Sequence, residues 1–166
     1  MTQLSEELPI IYLARHGETA WSLTGQHTGL TDLPLTERGE RNARRLQERL
    51  RGLAFISVLT SPLLRARRSC ELAGFASAAE VVPDLVEWDY GEYEGQRSVE
   101  AVSGNVLLFS SGHFLRMLAA RWCQVEPITN ARSFMLDTAS LSALGYEKSL
   151  SHPVIRLWND THHLRT

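Results

Sequence analysis

Lysine is almost absent from this chain: Lys148 is the only one, so 16 of the 17 basic residues are arginine. Arginine suits bidentate recognition of carboxylate or phosphate, although a compositional bias alone produces the same count. Cysteine is scarce as well. Cys70 and Cys123 each fall within a helical pattern, lack metal-ligand spacing and cannot build a disulfide framework, so both are expected as buried, reduced thiols. No apolar run approaches the ~18–20 residues that span a bilayer. The opening stretch, Met1 to Leu8, carries two Glu and no basic cluster before an apolar run, unlike a secretory signal. These absences predict a cytoplasmic chain. Nor is there an excess of one charge: a net charge of −2 supplies no field to draw in nucleic acid or an anionic membrane.

What is present suits one globular domain spanning 1–166. Hydrophobic residues make up 43% and charged residues 22%, and this length buries most of its apolar surface around a single core. No internal repeat, low-complexity tract or linker interrupts it. Ile10–Ala14 reads as a short buried strand. Thr36 reads as an N-cap followed by Glu37 and Glu40 and by Ala43, Leu46, Leu50 and Leu53 at helical spacing. A second strand, Phe55–Thr60, runs into Ser61-Pro62, a cap and first-turn proline for a helix carrying Leu64, Ala66, Cys70 and Ala73 on its apolar side. Val81-Val82 is a third strand candidate and Val106–Phe109 a fourth. A helix over His113–Cys123 follows, with Leu115, Leu118, Ala119 and Trp122 on one side. Leu141–Leu144 and Val154–Trp158 are the last strand candidates, and Asn159–Thr166 reads as an exposed polar tail. Strands alternating with helices predict an α/β fold, a three-layer α/β/α sandwich with a mostly parallel sheet. Ligands bind beyond the carboxyl ends of such strands, which here lead into Arg15-His16-Gly17, Ser61-Pro62 and Ser111-Gly112-His113.

A neutral imidazole attacks phosphorus well when one ring nitrogen is tethered and the other is bare. His16 after a strand fits that demand, with Arg15 to neutralise phosphate charge and Gly17 to allow close backbone approach. Alone, an Arg-His-Gly triplet equally suits a solvated loop, and Arg65 beside Arg67 and Arg68 equally suits a charged surface.

The wider pattern narrows the reading. RHGETAW at 15–21, TGLTDLPLTERG at 28–39, SPLLRA at 61–66, EWDYGEYEG at 87–95 and SGHFLR at 111–116 together resemble the histidine phosphatase (phosphoglycerate mutase-like) superfamily. LDTASLSALGYE and PVIRLWND resemble its short bacterial phosphatase members. The resemblance covers nearly the whole chain. It implies that His16 is the nucleophile that becomes phosphorylated and Glu87 the general acid, drawn from a crowd that includes Asp84, Asp89, Glu92 and Glu94. It implies that Arg15 and Arg65 clamp the phosphoryl oxygens and that Thr28 and Gly29 line the substrate side. Ser22 stands where many relatives carry Asn. Partial desolvation of Glu87 beside Trp88 would keep that acid protonated. No metal ligand cluster is evident and no cofactor is expected.

Two departures stand out. Ser111 occupies the place of the family's second catalytic histidine, and a serine is a shorter, uncharged donor; losing one well-placed donor costs about 10²–10³ in rate. His113 either substitutes for it or simply opens a helix. Between GEYEG and VLLF, relatives carry several tens of residues, whereas here only Gln96–Asn105 intervenes. Either a true deletion leaves the pocket open, or the sequence omits residues of the natural chain. Removing a core-covering helix would expose a large apolar patch, which favours omission.

The resemblance thus implies hydrolysis of small phosphate esters, with sugar phosphates the guess from likeness to the short phosphatases. A phosphoglycerate mutase and a non-catalytic phosphate- or protein-binding relative are the alternatives. The sequence leaves the substrate and the oligomeric state open.

Overall fold

A computed structural model of the protein describes residues 8–26, 28–86, 104–126 and 131–165. Six strands form one sheet: β1 (Ile11–Arg15), β2 (Ser57–Thr60), β3 (Ala79–Val81), β4 (Val106–Ser110), β5 (Leu141–Tyr146) and β6 (Pro153–Asp160), in the order β3-β2-β4-β1-β5-β6. The pairs β3·β2, β2·β4 and β4·β1 are parallel; β5 runs antiparallel to both β1 and β6. Only β5 is reversed, so the sheet is mostly parallel, as the alternation of elements predicts.

The strand residues explain the three layers. Leu107 and Phe109 of β4, with Ala14 of β1, point into one apolar cluster, where they meet Leu46 and Leu50 of α2 (Glu37–Leu50) and Cys70 of α3 (Leu64–Leu72). The alternate residues, Ile11, Leu13 and Leu108, point to the opposite face and meet Leu115 and Ala119 of α4 (Gly112–Trp122). Side chains alternate across a strand, so strands apolar on both faces need helices on both. β4 is buried throughout.

The start of α2 is as expected, with Thr36 Oγ1 accepting from the Gly39 N–H. Several local expectations are corrected. Ser61-Pro62 does not begin α3: the helix starts at Leu64 behind Leu63, which offers no side-chain cap, and Asp32 from another loop accepts the Leu64 N–H at 2.7 Å instead. Leu63 rather than Leu64 is buried, because the later start turns Leu64 outward. The third strand is Ala79–Val81; Val82 lies beyond it, ahead of the 3₁₀ turn at Pro83–Leu85. A short helix, α1 (Ala20–Thr24), was not anticipated; five residues carry too little periodicity to read. The tail is not loose polar chain. Asn159 and Asp160 belong to β6, Asp160 pairs with Arg49 at 2.7 Å, and Leu164 packs on the core. Cys70 is buried, and burial pushes its thiol up to about 12; Cys123 is only half-buried. Among the described residues no helix is long and apolar enough to cross a membrane.

Candidate active site

β2, β4 and β1 lie side by side and parallel, so their carboxyl ends share one rim. His16 follows β1, Ser111 follows β4, and Ser61 leads from β2 into α3. The three loops singled out in the sequence therefore converge.

His16 is fixed on all sides. Its backbone N–H donates to the Ser110 carbonyl and its carbonyl accepts from the Ala139 N–H, both at 3.0 Å. Its ring is 3% exposed, and Nδ1 lies 2.7 Å from the Gly17 carbonyl oxygen. A carbonyl only accepts, so Nδ1 carries the hydrogen and the neutral ring presents a bare Nε2. Burial first, and the Arg15 guanidinium second, with Arg65 adding to them, pull its pKa from 6.5 down to about 3 against the opposing hydrogen bond to Gly17. The imidazole is uncharged at neutral pH. An uncharged, oriented imidazole between two guanidinium groups is what attack on a phosphate ester requires.

Arg15 donates from its backbone N–H to Ser140 and from Nη1 to the Leu136 carbonyl. A Cβ on Gly112 would sit 2.8 Å from Arg15 Nε, so the bare start of α4 leaves room for that guanidinium. Arg65, on α3, is fully buried. It donates through Nη1 to Thr31 and through Nη2 to Gly29, at 3.0 and 2.9 Å, which meets the demand that a buried charge be hydrogen-bonded. These bonds stitch the loop carrying Thr28 and Gly29 onto α3 beside His16.

Gly17 allows close backbone approach, as expected. Its N–H donates to Ser69 Oγ at 2.9 Å, and a Cβ on it would lie 2.5 Å from the Gly39 carbonyl oxygen. The missing side chain admits the backbone of α2 rather than a ligand. Ser22 is engaged locally: its Oγ accepts from the Thr19 N–H while Thr19 Oγ1 accepts from the Ser22 N–H, a capping box for α1.

Ser111 is fully buried at the N-cap of α4 and makes no capping bond. Its hydroxyl has no hydrogen-bond partner among the described residues, an unusual state for a buried polar group. His113 is half-buried in the first turn of α4. Glu87 lies outside the described residues, as does most of 96–105. The chain approaching Glu87 is anchored at the rim, where Ser110 Oγ donates to the Leu85 carbonyl at 2.8 Å. Among the described residues no three His, Cys, Asp or Glu side chains gather closely enough to hold a metal ion.

Sequence reasoning missed several supporting residues. Ser69 sits one turn beyond Arg65 on the same face of α3, and its Oγ, besides accepting from Gly17, donates to the Arg65 carbonyl at 2.7 Å; that spacing was its only signal. The Asp32 carboxylate and the backbone of the turn Leu136–Ser140 hold the site from distant chain, which no local pattern reveals.

Comparison with known proteins agrees with this geometry. The family model described as histidine phosphatase superfamily (branch 1) matches residues 11–104 and 97–161, two stretches that overlap over 97–104. An acid phosphatase of Mycobacterium tuberculosis is 33% identical, over 82% of this chain and 86% of its own length. A sedoheptulose 1,7-bisphosphatase of Saccharomyces cerevisiae and a probable phosphoglycerate mutase of Klebsiella pneumoniae are each 40% identical over 57% and 56% of this chain, which spans 40% and 44% of their lengths. A solved open reading frame product of M. tuberculosis superposes with a TM-score of 0.77 at 30% identity, covering 90% of this chain and 96% of that one. An Entamoeba histolytica phosphoserine phosphatase shares the fold, with a TM-score of 0.78 at 21% identity over 95% of this chain and 100% of its own. A neutral, doubly tethered histidine at the end of β1, two arginines acting on it, and a family match over most of the chain lead to one conclusion: this protein belongs to the histidine phosphatase superfamily.

Proposed function

We propose that the protein hydrolyses small phosphate monoesters through a phosphohistidine on His16, without a metal ion. The observation that carries this reading is the bare Nε2 of an imidazole whose Nδ1 is tethered to Gly17 and which burial, with Arg15 and Arg65 adding to it, keeps neutral. Nε2 attacks phosphorus in line with the ester bond. The P–O bond breaks, Glu87 donates its proton to the leaving alcohol oxygen, and the phosphoryl group rests on nitrogen. Water then attacks phosphorus and the P–N bond breaks. Glu87 takes the water's proton, inorganic phosphate leaves and neutral His16 is restored. Arg15 and Arg65 neutralise the equatorial oxygens throughout. Ser111, buried and unpartnered among the described residues, supplies the third donor where relatives of this chain use histidine, and Thr28, Gly29, Ser22 and His113 border the ester's alcohol portion.

The relatives support the hydrolytic reading by their names: one is an acid phosphatase and another a sugar bisphosphatase. That points to a compact phosphorylated metabolite such as a sugar phosphate. Mutase relatives stand behind the second reading, transfer back to bound substrate. The Entamoeba phosphatase that shares this fold was crystallised with 3-phosphoglyceric acid, which makes that compound a fitting probe. Incubation with 3-phosphoglycerate separates the two readings: release of inorganic phosphate supports hydrolysis, and isomerisation without release overturns it. With p-nitrophenyl phosphate, turnover by the unmodified protein that His16→Ala abolishes supports catalysis; equal background from both supports a binding module.

A further inference from the structure

The nucleophile is held from behind by a turn that carries no catalytic side chain. Within Leu136–Ser140, the Leu136 carbonyl accepts from the Arg15 guanidinium, the Ala139 N–H donates to the His16 carbonyl, and the Ser140 carbonyl accepts the Arg15 N–H. Three contacts of this turn therefore set Arg15 and His16. The turn is not one the backbone adopts freely. Ala139 has φ = 56°, in the left-handed region that a Cβ disfavours, so something outside the turn has to impose it.

Two side chains from the C-terminal segment do so. Asn159 makes reciprocal bonds with Asp137: Oδ1 accepts the Asp137 N–H at 2.7 Å, and Nδ2 donates to Asp137 Oδ2 at 2.9 Å. His163 Nε2 lies 2.9 Å from the Ala139 carbonyl oxygen. That oxygen only accepts, so Nε2 carries the hydrogen. Nδ1 is left as a bare nitrogen, buried and without a hydrogen-bond partner among the described residues. Burial is the main influence keeping the ring neutral; Arg49 and Arg45 act with it, while the bond to Ala139 and the Asp160 carboxylate oppose it. One residue thus links the His163 imidazole to the His16 backbone: His163 grips the carbonyl of Ala139, whose N–H grips the carbonyl of His16.

We infer that His163 and Asn159 are positioning residues for phosphoryl transfer, holding the left-handed Leu136–Ser140 turn that fixes Arg15 and the His16 backbone. This rests on the proposed role of His16 as nucleophile. Neither residue touches the ester, and Arg65, held separately by Thr31 and Gly29, still grips phosphate, so their loss weakens binding little and misaligns attack. Displacement of about 1 Å at a reacting group costs up to about 10²-fold in rate.

The test is rapid-quench phosphorylation of His16 by ³²P-labelled acetyl phosphate or a labelled aryl phosphate, alongside steady-state turnover of p-nitrophenyl phosphate. The proteins compared are unmodified, H163A, H163Q and N159A. H163A and N159A are expected to slow phosphorylation and kcat together, about ten-fold or more, with KM within about two-fold. H163Q, whose amide nitrogen reaches a similar position, restores most of the rate. A simple loss of packing would lower Tm while the folded fraction kept its kcat, and glutamine would not rescue it. Should H163A fail to fold, H163M keeps the volume without the donor and is read in the same way. Wild-type phosphorylation rates in the donor-less variants overturn the positioning role. Absence of label from residue 16 in the unmodified protein overturns the proposed function, and the positioning role falls with it.

Discussion

The backbones of Glu18 and Gly39 approach so closely that a Cβ on Gly39 would lie 2.2 Å from the Glu18 carbonyl oxygen. The reverse holds one residue earlier, where a Cβ on Gly17 would meet the Gly39 carbonyl at 2.5 Å. The loop carrying His16 and the first turn of α2 thus pack backbone to backbone. Glu18 secures the contact: its carbonyl accepts from the Thr36 N–H and its carboxylate from Thr36 Oγ1, at 2.9 and 2.8 Å.

Gly39→Ala is therefore expected to separate α2 from the loop. Both colliding groups are backbone, so neither swings aside, and a cost of about 1–3 kcal/mol follows. Thermal unfolding should show the fall in Tm, and kcat for p-nitrophenyl phosphate should drop with it because His16 is displaced. Gly52→Ala is the control for backbone strain alone. Its φ is 81° with nothing within 4 Å of the added carbon, so it should lower Tm slightly and leave kcat unchanged.

Ser111→Ala should separate stability from activity. Its buried hydroxyl lacks a partner among the described residues, so removing it is expected to leave stability unchanged or to raise it by up to about 1 kcal/mol. With that hydroxyl as a donor to the phosphoryl group, its loss lowers kcat/KM by about 10²–10³. Denaturant unfolding and steady-state kinetics on one preparation check both halves. A destabilised but fully active variant would assign Ser111 to the fold alone.

Arg65→Lys tests the guanidinium fork. Lysine keeps the charge but cannot donate to Thr31 and Gly29 together while facing phosphate. The expected result is a loss of about 10²-fold or more in kcat/KM, with new proteolytic sensitivity around residues 28–32. Retention of activity would place the fork's role in holding the loop rather than the ester.

The pH dependence follows from His16. Its pKa is about 3 in the fold against 6.5 unperturbed, so below pH 6.5 the unfolded chain binds more protons than the folded one. Stability therefore falls as pH drops from about 6.5 towards 3. His16→Gln removes this contribution, and its Tm should decline less steeply over that window. By the same argument, kcat/KM corrected for substrate ionisation should show no limb from nucleophile protonation above about pH 3. A limb near pH 6.5 matched by an NMR titration of the His16 ring at that pH would show a normally solvated imidazole.

Much of this was legible in the residues because it is local. β1 and β4 announce themselves as apolar runs, α2 by its cap and spacing, and the rim by polar residues at strand ends. Two kinds of feature were not. Helix α3 begins late because Asp32, far away in sequence, supplies its cap, and Leu64 turns outward as a result. The tail reads as polar because Asn159, Asp160 and His163 are polar, yet each is bound to a distant partner: Asp137, Arg49 and Ala139. Residue type conveys a side chain's capacity to bond; only the fold names the partner. His16 stands out through its neighbours in sequence, and its supports do not, since they arrive from elsewhere in the chain.

The most direct measurement is to trap the protein during turnover of a ³²P-labelled ester, quench it, digest it and locate the label. Acid-labile, base-stable label on the peptide containing residue 16, absent from His16→Ala, is the predicted result. Steady release of phosphate with no label on that peptide would contradict the account.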